Sequence, residues 1–191
     1  NDAPVMVALE DLTILEDQSS ILIALNATDI DNGISDLSFG ASTENTNIVT
    51  VLVEGSALTL TPVENGSGPA EIEVWASDGE AESGHITFTL TVTAVNDPPE
   101  LTAIDNQSME EDGILSFALS SSDIDGGDPS YSASSDEPNV SAVVDGNELT
   151  LTPVPDWNGT ANITVTVDDG SGGTDEDRKS TRLNSSHVLI S

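Results

Sequence analysis

Val95-Asn96-Asp97-Pro98-Pro99 lies near the middle of the chain and repeats the pattern of its first residues, Asn1-Asp2-Ala3-Pro4. The two prolines cannot donate hydrogen bonds to a β-ladder, so a strand that reaches this point must end. Pro98 also favours an extended backbone at Asp97. The stretch therefore predicts a short, stiff, acidic joint between two copies of one module.

Further landmarks recur on the two sides of this joint in the same order. The recurring stretches are Glu16-Asp17 with Glu111-Asp112, Asp29-Ile30-Asp31 with Asp123-Ile124-Asp125, Leu58-Thr59-Leu60-Thr61-Pro62 with Leu149-Thr150-Leu151-Thr152-Pro153, and Asn65-Gly66 with Asn158-Gly159. Their separation stays near the same value, which is typical of a tandem repeat of about 95 residues. We predict two domains, residues 1–95 and 96–177.

Both copies have the sequence pattern of β-strands. Apolar and threonine residues alternate from Ile86 to Thr93, and similar alternation occurs at Leu58/Leu60, Ile72/Val74 and Ile163/Val165/Val167. A period of two indicates strands with one buried face, and no helical period of useful length is present. Further strands are predicted near residues 5–8, 12–15, 21–25, 37–41 and 48–53. About seven short strands per repeat predict an all-β fold of two tandem seven-stranded Greek-key sandwiches.

The second copy is expected to lack its last strand. After Gly170 the pattern of the first copy calls for a strand like that at residues 85–95, but the composition changes from acidic to basic near Arg178. The end of the chain, from about Arg178, also resembles translated adapter or vector read-through. We therefore predict that residues 178–191 are a non-native disordered tail and that the second sheet has an unpaired edge.

The charge of the chain is strongly negative, with 35 acidic residues against 3 basic ones. Residues 1–177 contain no Lys or Arg, so this part must tolerate repulsion, be screened by salt or bind cations. Nucleic acid is excluded as a partner because a polyanion would be repelled. No apolar run reaches the length of a membrane span, and the chain has no cysteine and hence no disulfide. Because it starts at Asn1 without a signal peptide, we expect it to be a piece of a longer protein.

Many of the acids fall at turns, at equivalent positions of the two copies. Asp29 and Asp31 place two carboxylates on one loop, and Asp78 and Asp169 lie at strand ends. Several carboxylates that converge at one end of a sandwich would repel one another unless a cation lay between them. Hard oxygen ligands on flexible loops favour Ca²⁺. The alternative is that the acids only solvate the turns.

Three motifs resemble those of cadherin repeats, and the bacterial cadherin-like tandem repeats of large surface proteins are the nearest match. They are Ala27-Thr28-Asp29-Ile30-Asp31-Asn32-Gly33, Ala76-Ser77-Asp78-Gly79, and the joint with its preceding residues, Val92-Thr93-Ala94-Val95-Asn96-Asp97-Pro98-Pro99. Glu16 also sits where cadherins carry a glutamate after the first strand. The resemblance covers residues 1–177 and implies cadherin-like, Ig-like sandwiches with calcium bound between successive repeats.

The resemblance implies a ligand set for each site. The site between the two repeats would use Glu16, Asn96, Asp97, Asp123, Asp125 and Asp169. A site shared with a preceding repeat would use Asp2, Asp29, Asp31 and Asp78, and Glu111 would serve a following one. The sequence departs from cadherins at Ala94, where the family has an aspartate, and at Pro62-Val63-Glu64, where a further acidic motif is missing. Fewer ligands imply fewer ions and weaker binding.

The predicted function is that of a non-enzymatic calcium-binding module of a bacterial surface or secreted adhesin, whose Ca²⁺ stiffens the joint for cell adhesion. Its partners would be neighbouring repeats of the same chain, with homophilic, cell-surface or matrix contacts also possible, and the parent protein would be membrane-associated. A carbohydrate-binding module would need exposed aromatic residues, for which only Trp75, Tyr131 and Trp157 are candidates. A plain acidic spacer remains the other alternative. A glycosidase that pairs Asp29 with Asp31 is disfavoured, because exposed turns provide no cleft.

Overall fold

Alternating apolar and polar residues form β-strands throughout a computed structural model that describes residues 1–110 and 112–184. Two units are present, the first spanning Asn1–Val95 and the second beginning at Asn96. Each unit has its own apolar core. The predicted all-β class is confirmed, and the only helix in the described residues is a single 3₁₀ turn, Ile34–Asp36.

The first unit contains nine strands. In chain order they are β1 (Val5–Met6), β2 (Leu12–Leu15), β3 (Ile21–Ala24), β4 (Ala27–Thr28), β5 (Ser38–Thr43), β6 (Val49–Glu54), β7 (Ala57–Pro62), β8 (Gly68–Ser77) and β9 (Ile86–Thr93). A four-stranded sheet has the order β2-β9-β8-β5, and a three-stranded sheet has the order β3-β7-β6. β1 and β4 form a separate antiparallel pair, so the predicted seven strands become nine because the first two strands are each interrupted.

The second unit repeats this arrangement. Its strands are β10 (Glu100–Leu101), β11 (Gln107–Glu110), β12 (Leu115–Ala118), β13 (Ser121–Ser122), β14 (Ser130–Ser135), β15 (Val140–Asp145), β16 (Glu148–Pro153), β17 (Gly159–Asp168) and β18 (Thr174–Asn184). The sheet orders are β11-β18-β17-β14 and β12-β16-β15, with β10 paired to β13. β2 pairs with β9 in parallel, and β11 pairs with β18 in the same way.

The core of each unit lies between its two sheets. In the first unit Leu58 and Leu60 of β7 face Ile72 and Val74 of β8, and all four side chains are fully buried. In the second unit Leu149 and Leu151 occupy the same positions on β16. Trp157, a candidate for carbohydrate binding in the sequence analysis, packs against this second core and lies over Gly159. Full burial of alternate residues along β8 and β17 fixes the register of these two strands.

The prediction that the second sandwich lacks its last strand is wrong. β18 pairs with β17 along its whole length, from Asp168↔Thr174 to Gly159↔Leu183. Residues 178–184 are therefore part of a strand and not a disordered tail, while the prediction for residues 185–191 lies outside the described residues. That the tail from about Arg178 is read-through sequence stays a prediction.

The physical reason for this error lies in two carboxylates of β18. Asp175 Oδ2 accepts a hydrogen bond of 2.8 Å from the backbone N–H of Leu101, and Asp177 Oδ2 accepts one of 3.1 Å from Ile104. These acids satisfy backbone donors at positions where an apolar side chain was expected. Backbone pairing with β17 does not require an apolar sequence, so composition was a poor guide to this strand.

Candidate metal centres

Five residues of the first unit converge at one end of its sandwich, and we call them the first acidic cluster: Asn1, Asp2, Asp29, Asp31 and Asp78. The Asn1 side-chain amide donates a 2.8 Å hydrogen bond to Asp78 Oδ2. The backbone N–H of Asp2 donates to Asp31 Oδ2 at 3.0 Å, and that of Asp31 donates to Asp29 Oδ1 at 2.8 Å. The predicted ligands of the site shared with a preceding repeat are thus brought together.

Five residues of the second unit repeat this arrangement, and we call them the second acidic cluster: Asn96, Asp97, Asp123, Asp125 and Asp169. The Asn96 amide donates to Asp169 Oδ2 at 2.7 Å. The backbone N–H of Asp97 donates to Asp125 Oδ2 at 2.7 Å, and that of Asp125 donates to Asp123 Oδ1 at 2.9 Å. Each of these three contacts of the first cluster therefore has a counterpart with the same chemistry.

Local sequence explains why the loops adopt this shape. In Asp-x-Asp, the first carboxylate accepts the N–H two residues later, which is the geometry of an Asx turn. Asp29 Oδ1 accepts a second N–H from Asn32, also at 2.8 Å. The turns after β8 and β17 use the same device, because Asp78 Oδ1 accepts N–H groups from Glu80 and Ala81, both at 2.7 Å.

Hydrogen bonds hold two of these carboxylates in the ionised form. The N–H of Ala81, followed by the Asn1 amide and the N–H of Glu80, lowers the pKa of Asp78 from its ordinary value of 3.8. The Asn96 amide, followed by the N–H of Ser171, lowers the pKa of Asp169 from the same value. Both residues are therefore negatively charged near neutral pH, as a cation ligand must be.

One oxygen of the first acidic cluster has no hydrogen-bond partner among the described residues. Asp29 Oδ2 is buried, whereas Oδ1 of the same carboxylate accepts two N–H groups. Shielding a carboxyl oxygen from water without giving it a hydrogen-bond donor costs free energy. A Ca²⁺ ion would satisfy it, because Ca²⁺ is bound by six to eight carboxylate, carbonyl and water oxygens. The donor set therefore fits a hard divalent cation.

The other two predicted ligands are Glu16 and Glu111. Glu16 follows β2, is only 2% exposed, and accepts a 2.7 Å hydrogen bond at Oε1 from the backbone N–H of Val95. Glu111 lies outside the described residues. Asn1 was missed by sequence analysis, although its repeat partner Asn96 was included. Comparison of the two copies, Asn1-Asp2 with Asn96-Asp97, would have identified it.

Aromatic residues do not form an open platform on the first unit. The Trp75 indole lies over Gly40, and it also stacks on His85, with ring centroids 4.7 Å apart and an angle of 9° between the planes. His85 Nδ1 in turn lies 3.0 Å from Glu73 Oε1. The indole is thus engaged with neighbouring strands, an arrangement that does not favour a carbohydrate-binding role for this side chain.

The chain belongs to the bacterial Ig domain family, whose model matches residues 1–93 and again residues 96–180. The two matches correspond to the two units and stop before the end of β18. No curated protein matches the chain.

Solved cadherin structures share the fold. Human protocadherin-24 EC1-2 aligns with a TM-score of 0.58 and 15% identity, over 96% of this chain and 100% of that chain. Protocadherin gamma B2 extracellular cadherin domains 1-5 align with a TM-score of 0.56 and 16% identity, over 97% and 40% of the two chains. The human desmocollin-1 ectodomain aligns with a TM-score of 0.52 and 14% identity, over 95% and 40%. The protein is thus a tandem bacterial Ig-like repeat with a cadherin-like fold, and it spans less than half of the last two chains.

Proposed function

We propose that this protein is a calcium-binding, non-enzymatic repeat module of a bacterial surface or secreted adhesin. The proposal rests on one observation above all, which is the duplicated arrangement of carboxylates in the two acidic clusters. Residues 1–177 contain no Lys or Arg that could neutralise these carboxylates. Membership of the bacterial Ig domain family supports a place outside the cell, and no helix among the described residues could span a bilayer.

In this proposal each acidic cluster binds calcium. Asp29, Asp31 and Asp78, with Asp2, would supply carboxylate ligands in the first cluster. Asp97, Asp123, Asp125 and Asp169 would supply them in the second, with an oxygen from Asn96. The ion would neutralise charges that now repel one another and would hold the loops at that end of each sandwich.

The ion of the second cluster would also involve Glu16 of the first unit. A set of ligands drawn from both repeats would couple calcium binding to the geometry of the joint. Calcium would then turn a flexible string of repeats into a stiff stalk. A stalk of this kind holds a distal adhesive domain away from the cell surface. The neighbouring repeats of the same protein are then its first partners.

Calorimetric titration with Ca²⁺ tests the proposal. We expect saturable binding with a Kd of about 0.1–1 mM, the range of extracellular modules. At 100 times the Kd, calcium should raise the free energy of unfolding by about 2.7 kcal/mol and the melting temperature with it. The titration is run at about 0.15 M and about 1 M NaCl, because screening alone would weaken strongly as salt increases.

A matched pair of variants separates a specific site from general charge. Asp123→Asn/Asp125→Asn removes two carboxylates from the second acidic cluster, and we expect it to abolish binding there. Asp145→Asn/Glu148→Gln removes the same charge from the β15–β16 hairpin, where the two residues pair across the strands, and should leave binding intact. Equal weakening by both variants, or binding no stronger than NaCl screening explains, would identify the chain as a plain acidic spacer.

A further inference from the structure

Asparagine is followed directly by glycine at three places in the chain, which are Asn32-Gly33, Asn65-Gly66 and Asn158-Gly159. In such a pair the backbone nitrogen of the glycine can attack the side-chain carbonyl carbon of the asparagine, because glycine has no Cβ that hinders the approach. The three pairs have the same chemistry. Their reactivity in the folded protein therefore depends on whether the glycine N–H and the asparagine amide are free to approach each other.

Two of the pairs hold their glycine in place. The Gly66 N–H donates a 2.9 Å hydrogen bond to the carbonyl of Val63, and Gly66 itself is buried. Gly159 is the first residue of β17, where it pairs with Leu183 of β18 and lies under the Trp157 indole. Attack at either pair requires the turn or the strand pairing to open first, and this opening costs hydrogen bonds.

The pair Asn32-Gly33 has neither restraint. It lies between β4 and the 3₁₀ turn Ile34–Asp36, outside the strands of the first unit. Gly33 is exposed, and within residues 1–110 and 112–184 its N–H has no hydrogen-bond partner. The side-chain amide of Asn32 makes no hydrogen bond in that part of the chain either, and only its backbone N–H is held, by Asp29 Oδ1 at 2.8 Å. The attacking nitrogen and the carbonyl carbon are therefore both free.

Local charge does not distinguish the three pairs. Asn32 follows Asp31, Asn65 follows Glu64, and Asp156 lies two positions before Asn158. A nearby carboxylate opposes the negative charge that forms on the attacking nitrogen, and this repulsion acts at every pair. The restraint on the glycine therefore decides the order of reactivity.

We infer that Asn32 is a site of spontaneous deamidation in the folded protein, and that Asn65 and Asn158 are protected. The Gly33 N–H loses its proton, and the nitrogen forms a bond to Cγ of Asn32. The bond from Cγ to the amide nitrogen then breaks, and ammonia leaves a succinimide behind. Water adds to one of the two succinimide carbonyl groups and opens the ring, which gives aspartate or isoaspartate. Water is the only co-reactant.

The modification would alter one acidic cluster and not the other. Asn32 directly follows Asp31 of the first acidic cluster, whereas Asp125 of the second is followed by Gly126, which has no amide side chain. Deamidation adds a negative charge beside Asp31, and isoaspartate also lengthens the backbone by a carbon atom. The first candidate metal centre would thus change irreversibly as the protein ages. This consequence for calcium rests on the proposed function, but the chemistry at Asn32 does not.

Peptide mass analysis of the aged full chain tests the inference. The protein is incubated in EDTA, so that calcium plays no part, and in about 1 M NaCl, where charges are screened over about 3 Å. Cleavage after glutamate places the three pairs on separate peptides, and deamidation gives the mass difference between an amide and a carboxyl group. We expect Asn32 to deamidate at least about tenfold faster than Asn65 and Asn158, which corresponds to a barrier lower by about 1.4 kcal/mol.

The same chain unfolded in urea is the control for the chemistry, because the three pairs should then react at similar rates. Gly33→Ala adds a methyl group that meets only the side chains of Asp36 and Ser35, at 3.4 and 3.7 Å. The φ angle of −78° at this position suits alanine, so the variant should fold and lose the rapid deamidation of Asn32. Gly84→Ala, whose methyl group meets nothing within 4 Å, should retain it.

Two results would overturn the inference. One is a folded chain in which the three pairs deamidate at equal rates, or in which Asn65 or Asn158 reacts first. The other is a Gly33→Ala protein that deamidates at Asn32 as fast as the wild type, since attack by the glycine nitrogen would then not be the route. Circular dichroism during the incubation establishes that each protein stays folded.

Discussion

Glu16 is an acidic residue whose side chain is buried. Its side chain is only 2% exposed, and within the first unit its carboxylate accepts a hydrogen bond from the Val95 N–H. Burial of a carboxylate disfavours folding unless another group compensates for it. In the proposed function, calcium is that group. Glu16 would then lower the free energy of unfolding of the calcium-free protein and raise that of the calcium-bound protein.

Glu16→Gln tests whether Glu16 has opposite effects on stability in the absence and in the presence of calcium. Glutamine keeps the size of the side chain and an oxygen for the Val95 N–H, but it removes the charge. In EDTA we expect the free energy of unfolding to stay within about 1 kcal/mol of the wild-type value or to increase. In saturating Ca²⁺ we expect the calcium-dependent gain to shrink, as measured by urea unfolding in both conditions.

A control variant at a neighbouring acid makes the comparison specific. Asp17 is exposed and adjacent in sequence, so Asp17→Asn changes the same charge without removing a buried group. It should leave the calcium-dependent gain unchanged. A Glu16→Gln protein that loses several kcal/mol in EDTA and keeps the full gain in Ca²⁺ would show that Glu16 has a purely structural role.

The loop between β17 and β18 positions the second acidic cluster through a close contact at Gly173. A methyl group added there would lie 2.3 Å from Asp169 Oδ2 and 2.7 Å from the Cα of Pro98. Both distances are far below van der Waals contact, so either the carboxylate or the backbone of the joint must move. Only glycine lets Asp169 reach the Asn96 amide in this arrangement.

Gly173→Ala should therefore damage the second cluster while leaving the sandwich folded. We expect a loss of stability of about 1–3 kcal/mol, the usual cost of overpacking, and weaker Ca²⁺ binding at that cluster. Thermal unfolding and calorimetry measure the two effects. Gly84→Ala is the matched control, since a methyl group there meets nothing within 4 Å and should change neither. Unaltered binding in Gly173→Ala would separate Asp169 from the calcium site.

How far the sequence predicted these elements depends on the kind of signal each carries. Strands such as β9 were predictable because four apolar residues alternate with threonine. The last strand of the second unit was not, because its inward positions include Asp175 and Asp177, whose carboxylates accept backbone N–H groups. Side-chain-to-backbone bonds of this kind depend on distant parts of the chain and leave no period in the sequence.

The acidic clusters were predictable because they contain a local motif that occurs in both repeats. Asp29 and Asp31 form a local motif with a local geometry, and the repeat identifies Asp123 and Asp125 as their counterparts. Asn1 and Asp78 are 77 positions apart in the sequence, so their contact follows only from the fold. Likewise, the burial of Asp29 Oδ2 without a partner is a property of the folded loop. The acidic residues of the clusters were therefore predictable from the sequence, whereas their contacts are visible only in the structure.

At the scale of the whole molecule, the proposed function predicts that calcium restricts the motion of one unit relative to the other. The chain has no cysteine, so single cysteines introduced at Thr91 and Glu176 can be spin-labelled without interference. Both positions are exposed, one in each unit. In EDTA we expect pulsed electron paramagnetic resonance to give a broad distribution of label distances, because the like charges of the two units repel one another.

Saturating Ca²⁺ should narrow that distribution, and the narrowing should require the ligands of the second acidic cluster. The same labels in Asp123→Asn/Asp125→Asn should keep the broad distribution in Ca²⁺, whereas the Asp145→Asn/Glu148→Gln background should respond like wild type. About 1 M NaCl screens the charges but supplies no ion that bridges carboxylates. We therefore expect NaCl to narrow the distribution of label distances less than Ca²⁺ does. If NaCl and Ca²⁺ had the same effect, calcium would act only as a counterion, and stiffness of the stalk would have to come from the prolines of the joint.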